Sequence, residues 1–135
     1  EELHDMLSEA DAVVLSCPHT PETENLMDRA AIEAIKPGAM FVNIARGLVV
    51  DEAALLDALR DGRIVFAALD VFRQEPLPAD SPFWDLPNVL INPHSASTAY
   101  SENQKITDIL CHNLRCYLDG RFGDMRNVLD KQRMY

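Results

Sequence analysis

Glycine is sparse in this sequence and badly spaced for holding phosphate. Gly38, Gly47, Gly62, Gly120 and Gly123 are the five in 135 residues, and no two of them form a G-x-G. The chain itself therefore carries neither a Rossmann glycine fingerprint nor a Walker loop, both of which need glycine where backbone closes on phosphate. Cysteine is also rare. Cys17, Cys111 and Cys116 are an odd number without zinc-type pairing, which fits reduced thiols and a cytoplasmic setting rather than a disulfide framework. His4, His19 and His112 lack metal-ligand spacing with one another, so no metal site is expected. Positive charge is in short supply, with 12 Lys and Arg against 22 Asp and Glu, a net charge of −10. Such a surface repels phosphate backbones and anionic lipid, which argues against nucleic-acid and membrane-surface partners. No apolar run approaches the roughly 20 residues of a membrane span, and Glu1-Glu2 opens no signal peptide.

What is present is enough for a folded domain, since 47% of the residues are hydrophobic. Short apolar runs alternate with helical patterns. The runs are Ala12–Leu15, Met40–Ala45, Ile64–Val71 and Val89–Ile91, each apolar at successive positions, as in strands covered on both faces. Between them, Asp28 is placed to cap a helix reaching Ile35, which Pro37-Gly38 ends. Asp51 is placed to cap another, whose Ala54, Leu55, Ala58 and Leu59 keep helical spacing up to Gly62. Ser101-x-x-Gln104 reads as a capping box opening the longest helix, with Ile106, Ile109, Leu110, Leu114, Tyr117 and Leu118 as one apolar stripe and Gly120 as its stop. Leu3, Met6 and Leu7 read as a helix preceding the first strand. The alternation predicts an α/β fold, a parallel sheet of about four strands with right-handed crossovers and helices on both faces. One segment breaks the pattern, the Pro-rich loop from Arg73 to Asn88 with Trp84 in it, and loops of that length are usually functional.

In an open α/β sheet, ligands sit beyond the carboxyl ends of the strands. Those ends read Cys17-Pro18, Ala45-Arg46-Gly47, Asp70 running on to Glu75-Pro76, and Pro93-His94. A cation, two carboxylates and an imidazole are thus predicted to collect along one edge. The set suits a 2-oxo acid. Arg46 offers a planar fork of donors for a carboxylate or carbonyl oxygen, and His94 is able to exchange a proton near neutral pH. Glu75, hydrogen-bonded to the other ring nitrogen, would fix the tautomer and favour imidazolium.

Each residue also has a plainer reading. An Arg after a strand is commonly a salt-bridge residue, a loop Glu solvated, a His after Pro part of a turn, and Cys17 a small buried hydrophobe. Asp70 is harder to explain away, because a carboxylate at the end of an apolar run requires partners. Arg115, Arg121 and Arg126 read as a solvated or salt-bridged face.

The motifs themselves resemble those of the D-isomer-specific 2-hydroxyacid dehydrogenases. Asn43-Ile44-Ala45-Arg46-Gly47-Leu48-Val49-Val50-Asp51 resembles the N-x-[AS]-R-G-x-x-[VI]-[DN] signature. Asp70-Val71-Phe72-Arg73-Gln74-Glu75-Pro76 is similar to the D-V-F-x-x-E-P segment, and Asn88–His94 resembles the strand ending in P-H. Cys17–Thr23 with Leu26-Met27 resembles the P-x-T-x-x-T-x-x-L-[IM] stretch. Glu at position 75 matches the hydroxyacid enzymes, where formate dehydrogenases have Gln.

The resemblance implies the second half of a Rossmann-type domain, with residues 1–120 as a partial dinucleotide-binding domain and 121–135 as a tail returning to a substrate domain. It implies an NAD- or NADP-dependent oxidoreductase acting on a small 2-oxo or 2-hydroxy acid, and a homodimer. Arg46 would bind the substrate's carboxylate and carbonyl, His94 would act as general acid/base and Glu75 would pair with it. Asp70 would hold the nicotinamide carboxamide, Cys17 and Pro18 would line the adenine side, Thr23 would lie near the cofactor and Ala45 with Arg46 under the nicotinamide. After His94 the family often continues x-G-G. Here Ser95-Ala96-Ser97 keeps small residues in that stretch, with Ala96 as a cofactor contact. The glycine-rich loop and most of the substrate domain are expected before Glu1. Two alternatives remain at this point, a cofactor-sensing corepressor-type relative and an inactive fragment without the phosphate loop.

Overall fold

A computed structural model of the chain describes residues 2–96 and 99–132. Ser97, among the small residues after His94, lies outside them, as do residues 133–135 of the tail. The chain divides into two compact units, Glu1–Ser95 and Ala96–Tyr135, so the division falls ahead of the last helix.

The first unit is built on four parallel strands in the order β1 (Ala12–Leu15), β2 (Ala39–Asn43), β3 (Ile64–Leu69) and β4 (Val89–Ile91). Helices α1 (Glu2–Glu9), α2 (Arg29–Ala34) and α3 (Glu52–Arg60) precede β1 and connect the first three strands. With each strand beside its predecessor, right-handed connections bring the helices to one side of the sheet. There Leu7, Ile32 and Leu55 pack with Phe41, Ile64 and Leu69 in the core. Register explains why the strands looked apolar on both faces. Met40 lies beside Phe66, while Val14, Val42, Ala68 and Leu90 form the next row. Val14, Met40, Phe66 and Leu90 are exposed.

The helix starts follow the sequence. Asp28 accepts the Ala31 N–H at 2.8 Å, and Asp51 accepts those of Ala53 and Ala54 at 3.0 and 3.1 Å. Gly62, at φ +80°, turns the chain out of α3 in a conformation that side chains disfavour. The Pro-rich loop is anchored by buried Phe83, whose ring lies 5.6 Å from that of Phe72, and by Trp84, whose Nε1–H donates to the Pro78 carbonyl at 2.8 Å.

The second unit holds α4 (Glu102–Leu118) and a short 3-10 turn at Phe122–Asp124. The capping box does not form. Ser101 has φ −91° and ψ 2°, not the extended backbone that aims a cap hydroxyl back at the helix, and Gln104 turns instead to Asp108 at 2.8 Å. Ile106, Leu110, Leu114, Tyr117 and Leu118 of the apolar stripe are exposed. Cys116 is the buried residue of α4. Arg121 is salt-bridged, to Asp119 and Asp124 at 2.9 and 2.8 Å.

Candidate active site

Parallel pairing places Leu15, Asn43, Leu69 and Ile91 in one row across the sheet, so the residues that follow them emerge along one edge. The ladder continues one step further, where Asp70 N–H donates to Asn43 O and Asn92 N–H to Leu69 O. Asp70 and Asn92 are thereby neighbours at the mouth of the sheet.

Asn43, buried at the end of β2, shapes the turn carrying Arg46. Its Oδ1 accepts the Ala45 N–H at 3.0 Å and its Nδ2 donates to the Arg46 carbonyl at 3.2 Å. Arg46 itself is exposed, and its Nη1 donates to the Ala45 carbonyl at 2.7 Å. The next residue passes directly against the loop after β3. A Cβ on Gly47 would stand 2.2 Å from the Arg73 nitrogen, so only glycine permits the approach.

Asp70 is 5% exposed and has the partners that burial demands. Its Oδ1 accepts from Asn92 Nδ2 at 2.5 Å and from the Ser95 N–H at 2.8 Å, and Asn92 Nδ2 also lies 2.9 Å from Ser95 Oγ. These bonds bracket His94, whose φ of +52° is unusual for a residue with a side chain. The knot is the local reason the chain holds that conformation.

From this position His94 Nδ1 lies 2.7 Å from Glu75 Oε2, while Glu75 Oε1 accepts the Phe72 N–H at 2.9 Å. Both carboxylate oxygens are thus engaged. Partial burial pushes the Glu75 carboxyl up, yet the bonds from His94 and Phe72 and the charges of His94 and Arg46 outweigh it. The group is held below the ordinary glutamate range. A cavity of about 660 Å³ opens beside the pair, with Asp70, Glu75, Asn92 and His94 on its polar side and Leu77 and Trp84 on its apolar side.

The structure therefore brings Asp70, Glu75 and His94 to one cavity, with the charge of Arg46 close enough to act on Glu75. Cys17 and Pro18 follow β1 on the same sheet edge, Cys17 partly buried against the core. Thr23 closes its own loop, its Oγ1 donating to the Pro18 carbonyl at 2.7 Å and accepting the Thr20 N–H at 2.8 Å. Ala96 opens the second unit. Sequence reasoning missed the partners of Asp70, namely Asn92 and Ser95. The demand of a carboxylate for donors was legible, but their identity depended on strand register.

Residues 1–96 match the NAD binding domain of the D-isomer specific 2-hydroxyacid dehydrogenases. The chain belongs to this family. It is 45% identical over 121 residues to the D-3-phosphoglycerate dehydrogenase of Mycobacterium tuberculosis, covering 89% of this chain and 22% of that protein. It is 42% identical over 120 residues to glyoxylate/hydroxypyruvate reductase B of Pectobacterium atrosepticum, covering 89% of this chain and 38% of that one. The chain thus spans well under half the length of these curated relatives. A D-isomer specific 2-hydroxyacid dehydrogenase from Xanthobacter autotrophicus, solved with NADPH and MES, superposes with a TM-score of 0.90 at 43% identity, over 98% of this chain and 53% of that one. An NADPH-dependent glyoxylate/hydroxypyruvate reductase from Sinorhizobium meliloti, solved with NADP and sulfate, gives 0.87 at 32% identity, over 98% and 42%.

The α/β, Rossmann-type reading holds, and a nicotinamide dinucleotide is the cofactor class of the fold. The residues present fit such a group. A carboxylate fixed by two donors, Asp70, stands in the wall of a cavity at the carboxyl ends of the strands, where dinucleotides bind. Among the described residues no helix is long and apolar enough to cross a membrane, and no cluster of His, Cys, Asp and Glu has the arrangement of a metal site.

Proposed function

We propose that this chain supplies the acid/base half of an active site interconverting a small 2-oxo acid and its D-2-hydroxy acid, with Arg46, Glu75 and His94 as the residues that handle substrate. The observation that carries this reading is the Glu75 carboxylate, one oxygen 2.9 Å from the Phe72 nitrogen and the other 2.7 Å from His94 Nδ1. That arrangement turns the ring so that Nδ1 donates to Glu75 and Nε2 is left for a ligand. The protonated ring gives its Nε2 proton to the ketone oxygen in reduction and regains one from solvent; in oxidation the neutral ring takes the hydroxyl proton at Nε2 and later releases it to solvent. Glu75 stabilises the charged ring without taking a proton itself. Arg46 pairs with the substrate carboxylate, its guanidinium matching the two oxygens. Asp70 would hold the nicotinamide carboxamide, Ala45 and Arg46 would contact the nicotinamide, and Cys17 and Pro18 would contact the adenine side, with Thr23 fixing the turn they occupy. The bound nicotinamide supplies or accepts the hydride.

The test is His94→Ala in the full-length protein, assayed with NADH and NADPH against glyoxylate, hydroxypyruvate and 3-phosphohydroxypyruvate. Loss of a positioned acid lowers kcat by roughly 10²–10⁴-fold. Reduction at the wild-type rate by that variant would end the proposal.

A further inference from the structure

The D-V-F-x-x-E-P segment leaves two positions open, and Arg73 occupies the first. Its bonds are not those of a solvated surface cation. Nη1 donates to Asn25 Oδ1 at 2.7 Å and to the Val50 carbonyl at 2.9 Å, and the backbone N–H donates to Glu52 Oε1 at 2.6 Å. The acceptors come from separate segments. Asn25 belongs to the loop after β1, Val50 to the end of the turn that begins at Arg46, and Glu52 is the first residue of α3. Asn25 is fixed in turn, its N–H donating to the Leu48 carbonyl at 2.9 Å while its φ of +50° suits asparagine better than most residues.

Arg73 also stands at the root of the turn that presents Glu75, directly after Phe72, whose N–H holds Glu75 Oε1. His94 is set from elsewhere, by the Asp70, Asn92 and Ser95 knot. The two halves of the ion pair therefore sit on separately anchored loops, and a drift of either one lengthens the bond between them.

We infer that Arg73 is a positioning residue for the Glu75–His94 pair: anchored on Asn25, Val50 and Glu52, it fixes the Phe72–Glu75 turn against the Arg46 turn and so sets where Glu75 meets the ring. The role given to that pair rests on the proposed function, while the geometry does not. Burial raises the Glu52 carboxyl, the Arg73 backbone N–H and the Arg73 charge oppose this, and the Glu75 charge adds to the rise.

The test compares Arg73→Ala, Arg73→Lys and Asn25→Gly in the full-length protein. Readouts are the pH profile of kcat/KM for 2-oxo acid reduction, the titration of the Glu75 carboxyl carbon by NMR, and thermal midpoints. Misplacement of a reacting group on this scale lowers kcat by roughly ten- to a hundredfold. In Arg73→Ala the Glu75 titration moves up toward the ordinary glutamate range, and Arg73→Lys recovers part of both effects. Asn25→Gly, which frees the strained backbone and removes one anchor, moves Glu75 in the same direction by less. The double variant is no worse than Arg73→Ala, since the two act as one unit. An unmoved Glu75 titration in Arg73→Ala overturns the inference whatever its melting temperature. Should that variant not fold, an unmoved Glu75 in Asn25→Gly overturns it equally. A wild-type protein that reduces no 2-oxo acid removes the proposed function, and a Glu75 titration that still shifts in Arg73→Ala upholds the positioning.

Discussion

Gly47 and Phe72 stand so close that no side chain fits between them: a Cβ on Gly47 would lie 1.9 Å from the carbonyl carbon of Phe72. One loop carries Arg46 and the other leads to Glu75, so this contact sets the distance between the cation and the carboxylate of the site. Because the obstructing atoms are backbone, Gly47→Ala must displace a loop rather than a rotamer. The expected cost is about 1–3 kcal/mol of stability, read as a lowered urea midpoint, with a loss of 2-oxo acid reduction greater than the stability change explains. A Gly47→Ala protein with wild-type kcat/KM would show that the two loops move independently.

Asn92→Leu tests the knot around Asp70. The substitution keeps much of the side-chain volume but removes the Nδ2 donor 2.5 Å from Asp70 Oδ1. A buried carboxylate deprived of a donor costs about 1–3 kcal/mol, and His94 loses part of the support for its positive φ. Chemical denaturation reads the first effect, and the His94 ring resonances in NMR read the second. No change in either would mean that the remaining bonds to Asp70 suffice.

Acid titration separates Glu75 from Glu52 of α3, because their shifts have opposite signs. Glu75 is held below its ordinary value, so the stability it contributes is complete above the unfolded glutamate pKa of about 4.3 and is lost as pH falls through the lower folded value. Wild type is therefore more stable than Glu75→Gln at about pH 7, and the gap closes toward about pH 3. Glu52 is raised by burial, so its contribution is present below the unfolded value and is lost as pH rises through the folded one. Wild type loses ground to Glu52→Gln on going from acid to neutral pH. Urea midpoints across the range decide both, and parallel behaviour of the two variants would contradict the assignments.

The isolated 135-residue chain is expected to bind NADH weakly. It contains no G-x-G, and the glycine turn with its helix N-terminus is what grips the pyrophosphate in this fold. A fluorescence titration of the chain alone checks this. Saturation at sub-micromolar NADH would mean that Asp70 and the strand ends suffice without that turn.

The legible parts of the molecule were those governed by local chemistry. Apolar runs that form a parallel sheet, Asp28 and Asp51 before helices, and a cation, carboxylates and a histidine at strand ends all followed from residue type and order, whereas the second face of the sheet, read as covered, leaves Val14, Met40, Phe66 and Leu90 exposed. The illegible parts depended on where one loop lies against another. Nothing local to Arg73 tells that its guanidinium reaches Asn25 and Val50, because the meeting requires the loop after β1, the Arg46 turn and the loop after β3 to be in place already. Ser95 likewise becomes a donor to Asp70 only once β3 and β4 are paired. At Ser101 the motif was present but the backbone was not, and the hydroxyl made no cap bond.

The row that joins Leu15, Asn43, Leu69 and Ile91 works as an index for everything beyond it. A residue inserted into a connection such as Asp61–Arg63 is absorbed by a turn on the far side of the sheet. The same residue inserted inside β2 rotates Asn43 from the core face to the other, because strand side chains alternate. Arg46 would then leave a turn that no longer has its amide brace. Tolerance to insertion along this chain should therefore rise and fall with the strands, independently of distance in sequence from His94, and a scan of single-residue insertions scored by folding would trace the four strands as four intolerant windows.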